Sequence, residues 1–341
     1  MAATFDTILK GATIVNHDGI GQRDIGIRNG RIAAIGSLAG NSAGEVIDCT
    51  GLHILPGVVD SQVHFREPGL EHKEDLETGS LAAVLGGVTA VFEMPNTKPL
   101  TTSAEMLEDK IRRGRHRMHC DFAFWVGGTR DNAKDVAELE RLPGAAGIKV
   151  FMGSSTGDLL VEDDDGVRSI LRNTRRRAAF HSEDEFRLKE REGLRVEGDP
   201  SSHPVWRDEI AALQCTQRLV RIARETGARI HVLHISTAEE IDFLKDYKDV
   251  ATCEATPHHL TLSADDYKAL GNLIQMNPPV RDKRHREGVW KGSRSGYRGC
   301  AGFRPCPAHA GRKAEVLSGF PIGHDRRADA GADHAGPCEC R

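Results

Sequence analysis

The chain has 341 residues, 39% of them apolar, and a net charge of −4 with both signs dispersed. That length allows one large barrel or two ordinary domains with a sizeable core, and the charge argues against nucleic acid or an anionic membrane surface as main partner. No apolar run approaches a membrane span, the N-terminus has no apolar secretory stretch, and Cys49, Cys120, Cys215 and Cys253 are scattered singly, so a reduced, cytoplasmic protein is expected.

Residues 1–54 read as a small β module of short strands at 5–10, 12–15, 24–28, 31–35 and 45–48. Asn29-Gly30, between two of them, is a hairpin signal. From residue 54 strands alternate with helices. Strands are predicted at 54–60, 90–93, 120–125, 147–151, 177–181, 229–234 and 251–254, and helical patterns at 80–85, 104–113, 206–226 and 238–245. Seven βα repeats, nearly all with polar residues where the strand ends, predict an α/β fold: a (β/α)8 TIM barrel over 55–291 that lacks its eighth unit.

A barrel keeps its chemistry at the carboxyl ends of its strands. The first predicted strand runs into Asp60-Ser-Gln-Val-His-Phe-Arg-Glu-Pro-Gly69. His64 is a candidate metal ligand there, and Arg66, on the same side of an extended segment, can hold a carboxylate. Glu93-Met-Pro-Asn-Thr97 follows the second strand. Lys149 lies inside the apolar run Gly147-Ile-Lys-Val-Phe151, where an unpaired ammonium is costly. It is therefore paired, neutral, or modified by CO2 to a carbamate that can bridge two metals; spacing alone does not choose between a structural and a ligating lysine. His181 and His234 each end a β run. Singly, each is more often structural; with His64 and Lys149 on other strands of one barrel they suggest a zinc site with an open position. His231 is read as pointing away, and Glu254 with His258 and His259 either as partners that support a metal ligand or, preferred, as solvated loop residues. The segment 275–281, Gln-Met-Asn-Pro-Pro-Val-Arg, presents Asn277.

Taken together, residues 60–69, 94–97, 147–151, 180–183, 231–237 and 277–281 closely resemble the dihydroorotases of the cyclic-amidohydrolase group, whose relatives include dihydropyrimidinases and allantoinases. The resemblance covers residues 3 to about 291. It implies reversible closure of N-carbamoyl-L-aspartate to (S)-dihydroorotate in pyrimidine biosynthesis. It also implies one or two Zn2+ held by His64, Lys149 as a carbamate, His181 and His234. Arg66, Asn96 and Asn277 are implied to bind the substrate's carboxylate and ring. Arg66 favours dihydroorotase, because the other two substrate classes lack that carboxylate. The partner expectation is a small-molecule substrate, with a homodimer or an association with aspartate transcarbamoylase.

Two positions depart from the pattern. The family's first metal-binding element is His-x-His, and here the first His is Gln62, a poor zinc ligand. After the eighth strand the family carries Gly-Ser-Asp-His-Ala-Pro-His, whose Asp is metal ligand and general base; the chain has no such motif. Residues 293–341 instead hold eight glycines and four cysteines with no period of 2 or 3.6. Cys300, Cys306, His309, Cys338 and Cys340 fit no zinc-finger spacing well. Codons for 292–313 can be chosen so that dropping one G at Gly292 yields GLAQGTVDVLGSDHAPHTLEE, which contains the missing motif whole. Codons for 324–341 likewise recode to MTGVQTLVPIMLDHVNAG, an amphipathic helical segment. The tail 292–341 is therefore expected to be a frameshifted, non-native and disordered sequence, and the chain itself inactive. Two other readings use the same residues: a noncatalytic dihydroorotase-like subunit that scaffolds aspartate transcarbamoylase, which Gln62 suits, and a hydantoinase- or allantoinase-type cyclic amidase.

Overall fold

The computed structural model describes residues 4–155, 159–294 and 300–301. The frameshifted tail expected from the sequence thus lies, apart from 292–294 and 300–301, outside the described residues. The chain divides into two compact units with the boundary between Val58 and Val59.

The first unit is a five-stranded sheet. Strands β1 (Thr4–Asn16), β2 (Gly19–Arg28), β3 (Arg31–Gly36) and β4 (Ser42–Asp48) lie in the order β3-β2-β1-β4, and β5 (His53–Ile54) also pairs with β1. The β2–β3 hairpin turns at Asn29-Gly30, both with positive φ (53° and 69°), which is what an Asn-Gly turn supplies. Alternate positions of β1 and β2, with Cys49 just past β4, close a small core of Ala12, Ile14, Ile25 and Cys49.

The second unit is a mostly parallel α/β sheet. Its strands are β6 (Val58–Val63), β7 (Val88–Glu93), β8 (Asp121–Gly127), β9 (Ala145–Phe151), β10 (Ala178–His181), β11 (Ile230–Val232), β12 (Ala251–Ala255) and β13 (Cys300–Ala301). They stand side by side in chain order, and neighbours from β7 to β13 run parallel. Strands buried on both faces read as continuous apolar runs, and β9, Ala-Ala-Gly-Ile-Lys-Val-Phe, is the clearest case. Met94, Trp125, Ala179 and Leu233 form one core cluster contributed by several strands and their ends.

The intervening helices are α1 (Leu76–Leu85), α2 (Ala104–Gly114), α3 (Val136–Leu139), α4 (Asp164–Asn173), α5 (Glu185–Arg191), α6 (His203–Trp206), α7 (Glu209–Thr226), α8 (Ala238–Leu244), α9 (Pro257–Thr261), α10 (Tyr267–Leu270) and α11 (Lys283–Arg294). Their starts are set by side-chain caps: Asp75, Ser103, Asp163, Asp208 and Thr237 each accept from a backbone N–H of the first turn. Gly227, left-handed at φ 69°, ends α7. Among the described residues no helix is long and apolar enough to cross a membrane.

Three differences from the sequence reading have physical causes. The run at 54–60 is two strands, β5 and β6, because Pro56-Gly57 interrupts the ladder. The helix expected over 206–226 starts at 209, since Asp208 caps it and Arg207 leaves the helical region. The eighth strand position, expected to be empty, is filled by the two-residue β13, where Cys300 and Ala301 pair with Glu254 and Ala255. Before it, α11 runs through Gly292. A Cβ on Gly288 would lie 2.3 Å from Ala238 Cβ and one on Gly292 2.4 Å from Ile241, so α11 and α8 approach as closely as glycine permits.

Candidate active site

The polar side chains named from the sequence sit where strands of the second unit end. Strand β6 leads into Asp60, Gln62, His64 and Arg66, all buried. Asp60 Oδ1 accepts from Gln62 N at 3.0 Å. Gln62 is 1% exposed, and its Oε1 has no hydrogen-bond donor among the described residues. Arg66 has a left-handed backbone, φ 68°, so the chain turns sharply as it leaves the strand. Asn96 is buried beyond the end of β7. Between them Glu93 and Lys110 form a fully buried ion pair, with Lys110 Nζ also donating to Met94 O at 3.0 Å. Burial raises the Glu93 pKa and lowers that of Lys110.

Strands β9, β10 and β11 carry the next three residues. Register pairs Lys149 with Ala179 and Phe151 with His181, so the lysine lies two residue pairs below His181 on the neighbouring strand. Lys149 is fully buried, its Nζ 4.3 Å from the Phe151 ring centroid. His181 Nδ1 and His234 Nε2 face each other at 3.1 Å, with rings nearly perpendicular. His234 reaches this position from a left-handed backbone (φ 42°) just past β11.

The orientation of His181 is fixed from behind. Its Nε2 lies 2.8 Å from Glu183 Oε2, and Glu183 is also held by the Arg207 guanidinium at 2.5 Å. Although burial opposes it, the Arg207 charge, reinforced by His181, keeps the Glu183 carboxyl far below the usual carboxylate range. Burial lowers His181 to about 4. A neutral imidazole beside a carboxylate donates from the nitrogen facing it. The proton is therefore on Nε2, and the Nδ1 lone pair points toward His234. Arg207 also donates to Ser154 O at 2.7 Å, and Arg281 NH1 donates to Arg207 O at 2.8 Å. A carboxylate behind an imidazole is the arrangement that orients metal-binding histidines.

The residues fit a metal ion on this side of the site. Two imidazole nitrogens converge at 3.1 Å, one with its lone pair fixed, beside a buried lysine. The fit is poorer at the end of β6, where an amide oxygen replaces an imidazole. Among the described residues no three His, Cys, Asp or Glu side chains gather as a metal-binding group, so His64 is not brought into one with His181 and His234. The ligand set read from the sequence relies on a lysine, and its aspartate is missing.

Three further placements differ from the sequence reading. His231 does not point away: it pairs in register with Ala179 and bonds Thr252 Oγ1 at 2.8 Å and Glu254 Oε2 at 3.2 Å. Glu254 is not a solvated loop residue; it is buried and accepts from Ser61 Oγ at 2.7 Å. His259 is buried as well, bonded to Thr256 Oγ1 and Pro278 O. Sequence reasoning also missed Arg207 and His203. Glu183, two residues after His181, gave a signal; Arg207, far along the chain, gave none.

The comparisons agree on the lineage. A family model described as dihydro-orotase-like matches residues 51–144, and one for the urease α-subunit N-terminal domain matches 1–54. An allantoinase of Deinococcus radiodurans is 32% identical over 320 residues, 89% of this chain and 70% of that protein. A dihydroorotase of Methanosarcina mazei is 35% identical over 290 residues, 81% of this chain but 63% of that protein, so the chain spans less than two thirds of it. Among solved structures, an L-hydantoinase (dihydropyrimidinase) from Arthrobacter aurescens superposes with a TM-score of 0.80 at 27% identity, covering 86% of this chain and 67% of that one.

Proposed function

The chain belongs to the cyclic amidohydrolase family of the metal-dependent hydrolases, and from that we propose dihydroorotase as its lineage function: reversible closure of N-carbamoyl-L-aspartate to dihydroorotate. Arg66 carries this reading. A buried guanidinium at the end of the first barrel strand, within the span of the dihydro-orotase-like match, suits a substrate with a carboxylate. Asn96 and Asn277 then bind the ring's amide groups. His181 and His234, with a carbamylated Lys149, would hold zinc. A divalent metal bound there supplies Lewis-acid polarisation of the scissile carbonyl. Glu183 keeps the His181 proton on Nε2, and Arg207 keeps Glu183 ionised.

We also propose that the sequence from Gly292 onward is out of frame and that the chain as written does not turn over, since it lacks the family's aspartate. The register of β13 supports this. In the alternative frame the two positions of β13 are valine and leucine, directly before Gly-Ser-Asp, which is a strand sequence where a strand is found. Reading the nucleotides at codon 292 tests the frame. Expressing both forms tests the activity: the restored chain hydrolyses dihydroorotate, the chain as written does not, and Arg66→Ala in the restored chain removes the activity. Robust turnover by the chain as written would refute the proposal. Allantoinase is the second reading, favoured by the relative matched over 89% of this chain. Allantoin has no carboxylate, so allantoin turnover that survives Arg66→Ala would establish it.

A further inference from the structure

The sheet of the first unit ends in two open edges. Among the described residues β3 pairs only with β2, and β4 only with β1. The outer side of each is a row of backbone N–H and C=O groups ready to pair with another strand. Both strands are also apolar and exposed. On β3, Ile32 is 62% and Ile35 41% exposed; on β4, Val46 is 57% and Ile47 41% exposed. Ile35 pairs in register with Ile25 of the buried core, and Ile47 with Leu9, which packs against that core. Paired residues share a face of the sheet, so the apolar face that closes the core runs on to both edges. Lysine and proline are common blunting residues at such an edge, and Arg-Ile-Ala-Ala-Ile-Gly of β3 and Ser-Ala-Gly-Glu-Val-Ile-Asp of β4 contain neither.

The two edges are opposite in charge. β3 carries Arg31 and no acid, whereas β4 carries Glu45 and Asp48 and no base. Two copies meeting β3 to β3, or β4 to β4, set like charges against each other; β3 against β4 sets opposite ones. Strand direction agrees. β1 and β4 are parallel, while β1–β2 and β2–β3 are antiparallel, so β3 and β4 run the same way. A second copy displaced sideways in the plane of the sheet therefore lays its β3 parallel to β4 of the first, the relation β4 already has to β1.

We propose that the first unit is a self-association surface, on which β3 of one copy adds to β4 of the next and the sheet continues from chain to chain. Main-chain hydrogen bonds supply the attachment, and Arg31 against Glu45 and Asp48 sets which edges meet. The contact is head-to-tail, so each added copy leaves one edge open and a series grows in place of a closed pair.

The test uses the full chain in sedimentation velocity. Its mass is expected to climb with concentration from 37.2 kDa past that of a dimer, and backbone amide exchange to slow over 31–36 and 42–48 as it does. Ile32→Glu sets an acid against the acids of β4, and Val46→Lys sets a cation against Arg31, both at exposed positions. Each variant alone is expected to stay monomeric. Mixed one to one, they offer a native β4 from one and a native β3 from the other, and association should return. A parent that is monomeric at every concentration overturns the proposal and means that the edges are covered within the chain or stay open. An effect of only one variant makes the contact symmetric, β3 to β3 or β4 to β4, and overturns it too. So does association that both variants leave unchanged, which places the contact elsewhere, and so do a mixture that stays monomeric and exchange that does not slow at the two edges. Thermal melts identify a variant that fails to fold, and Ile35→Glu or Ile47→Lys then takes its place.

Discussion

At the end of β10 the atoms around His181 are all accounted for: Glu183 accepts a hydrogen bond from Nε2–H, Arg207 holds Glu183, Arg281 holds the backbone of Arg207, and Nδ1 meets His234. At the end of β6 the matching position is Gln62, buried, with an Oε1 that finds no donor among the described residues. Both regions bury polar groups at strand ends of one sheet. The difference lies in support. A ring backed by a carboxylate and a guanidinium is a ligand in waiting, whereas an amide in an imidazole's place has neither the basicity nor the backing. A site can therefore be intact on one side and degraded on the other, and substitutions on the two sides should have unequal effects.

The largest effect is expected from Glu183→Ala. It strands Arg207, which is 3% exposed, without its carboxylate, and breaking such a pair costs about 3–5 kcal/mol. Chemical denaturation should show that loss, while Gln62→Ala should stay near neutral or gain stability; equal losses at both positions would erase the contrast.

Acid comes next. His203 and His181 are each held at about 4 in the fold against an ordinary 6.5. With folded values depressed, the unfolded chain binds more protons between those limits, so stability rises with pH from about 4 to about 6.5 and is lost on acidification. Each ring is worth about 3 kcal/mol across that window. Glu240, raised by burial to about 7 from 4.5, works in the opposite sense, giving up stability as pH climbs from 4.5 to 7. The difference between parent and His203→Gln isolates one ring: the variant's acid limb should be shallower.

Glu183→Gln keeps the shape but weakens the acceptor behind His181. Zinc affinity, measured by competition with a chromophoric chelator, should fall about 10–100-fold. Gln62→His addresses the weaker side, where elemental analysis should find metal content rising from about one ion per chain toward two. If Gln62→His changes nothing while Glu183→Gln costs no affinity, the two sides do not differ as described.

Much of this was legible in the chain. The βα alternation, the buried run around Lys149, the Asn29-Gly30 turn and the strand-end placement of His181 and His234 follow from period, β-branching and turn chemistry, which are local properties. Pro56-Gly57 and Asp208 are equally readable as a strand break and a helix cap, but the apolar run and the helical period on either side are stronger signals. The inward-facing His231 and the buried Glu254 were read wrongly for another reason: a hydrophilic residue is placed by default in solvent, and only a partner on another strand, here Ser61, Thr252 or each other, makes burial affordable.

The family, the succession of strands and helices, and the residue types at the strand ends depend on neighbours a few positions apart, and the chain records them. Which of those residues meet depends on packing between distant segments. Arg207 reaches Glu183 across 24 positions, and His203 reaches Asn277 across 74. Tautomers and amide orientations follow from such contacts, because the proton on a ring nitrogen is fixed by whatever long-range packing sets in front of it, and no local pattern records that.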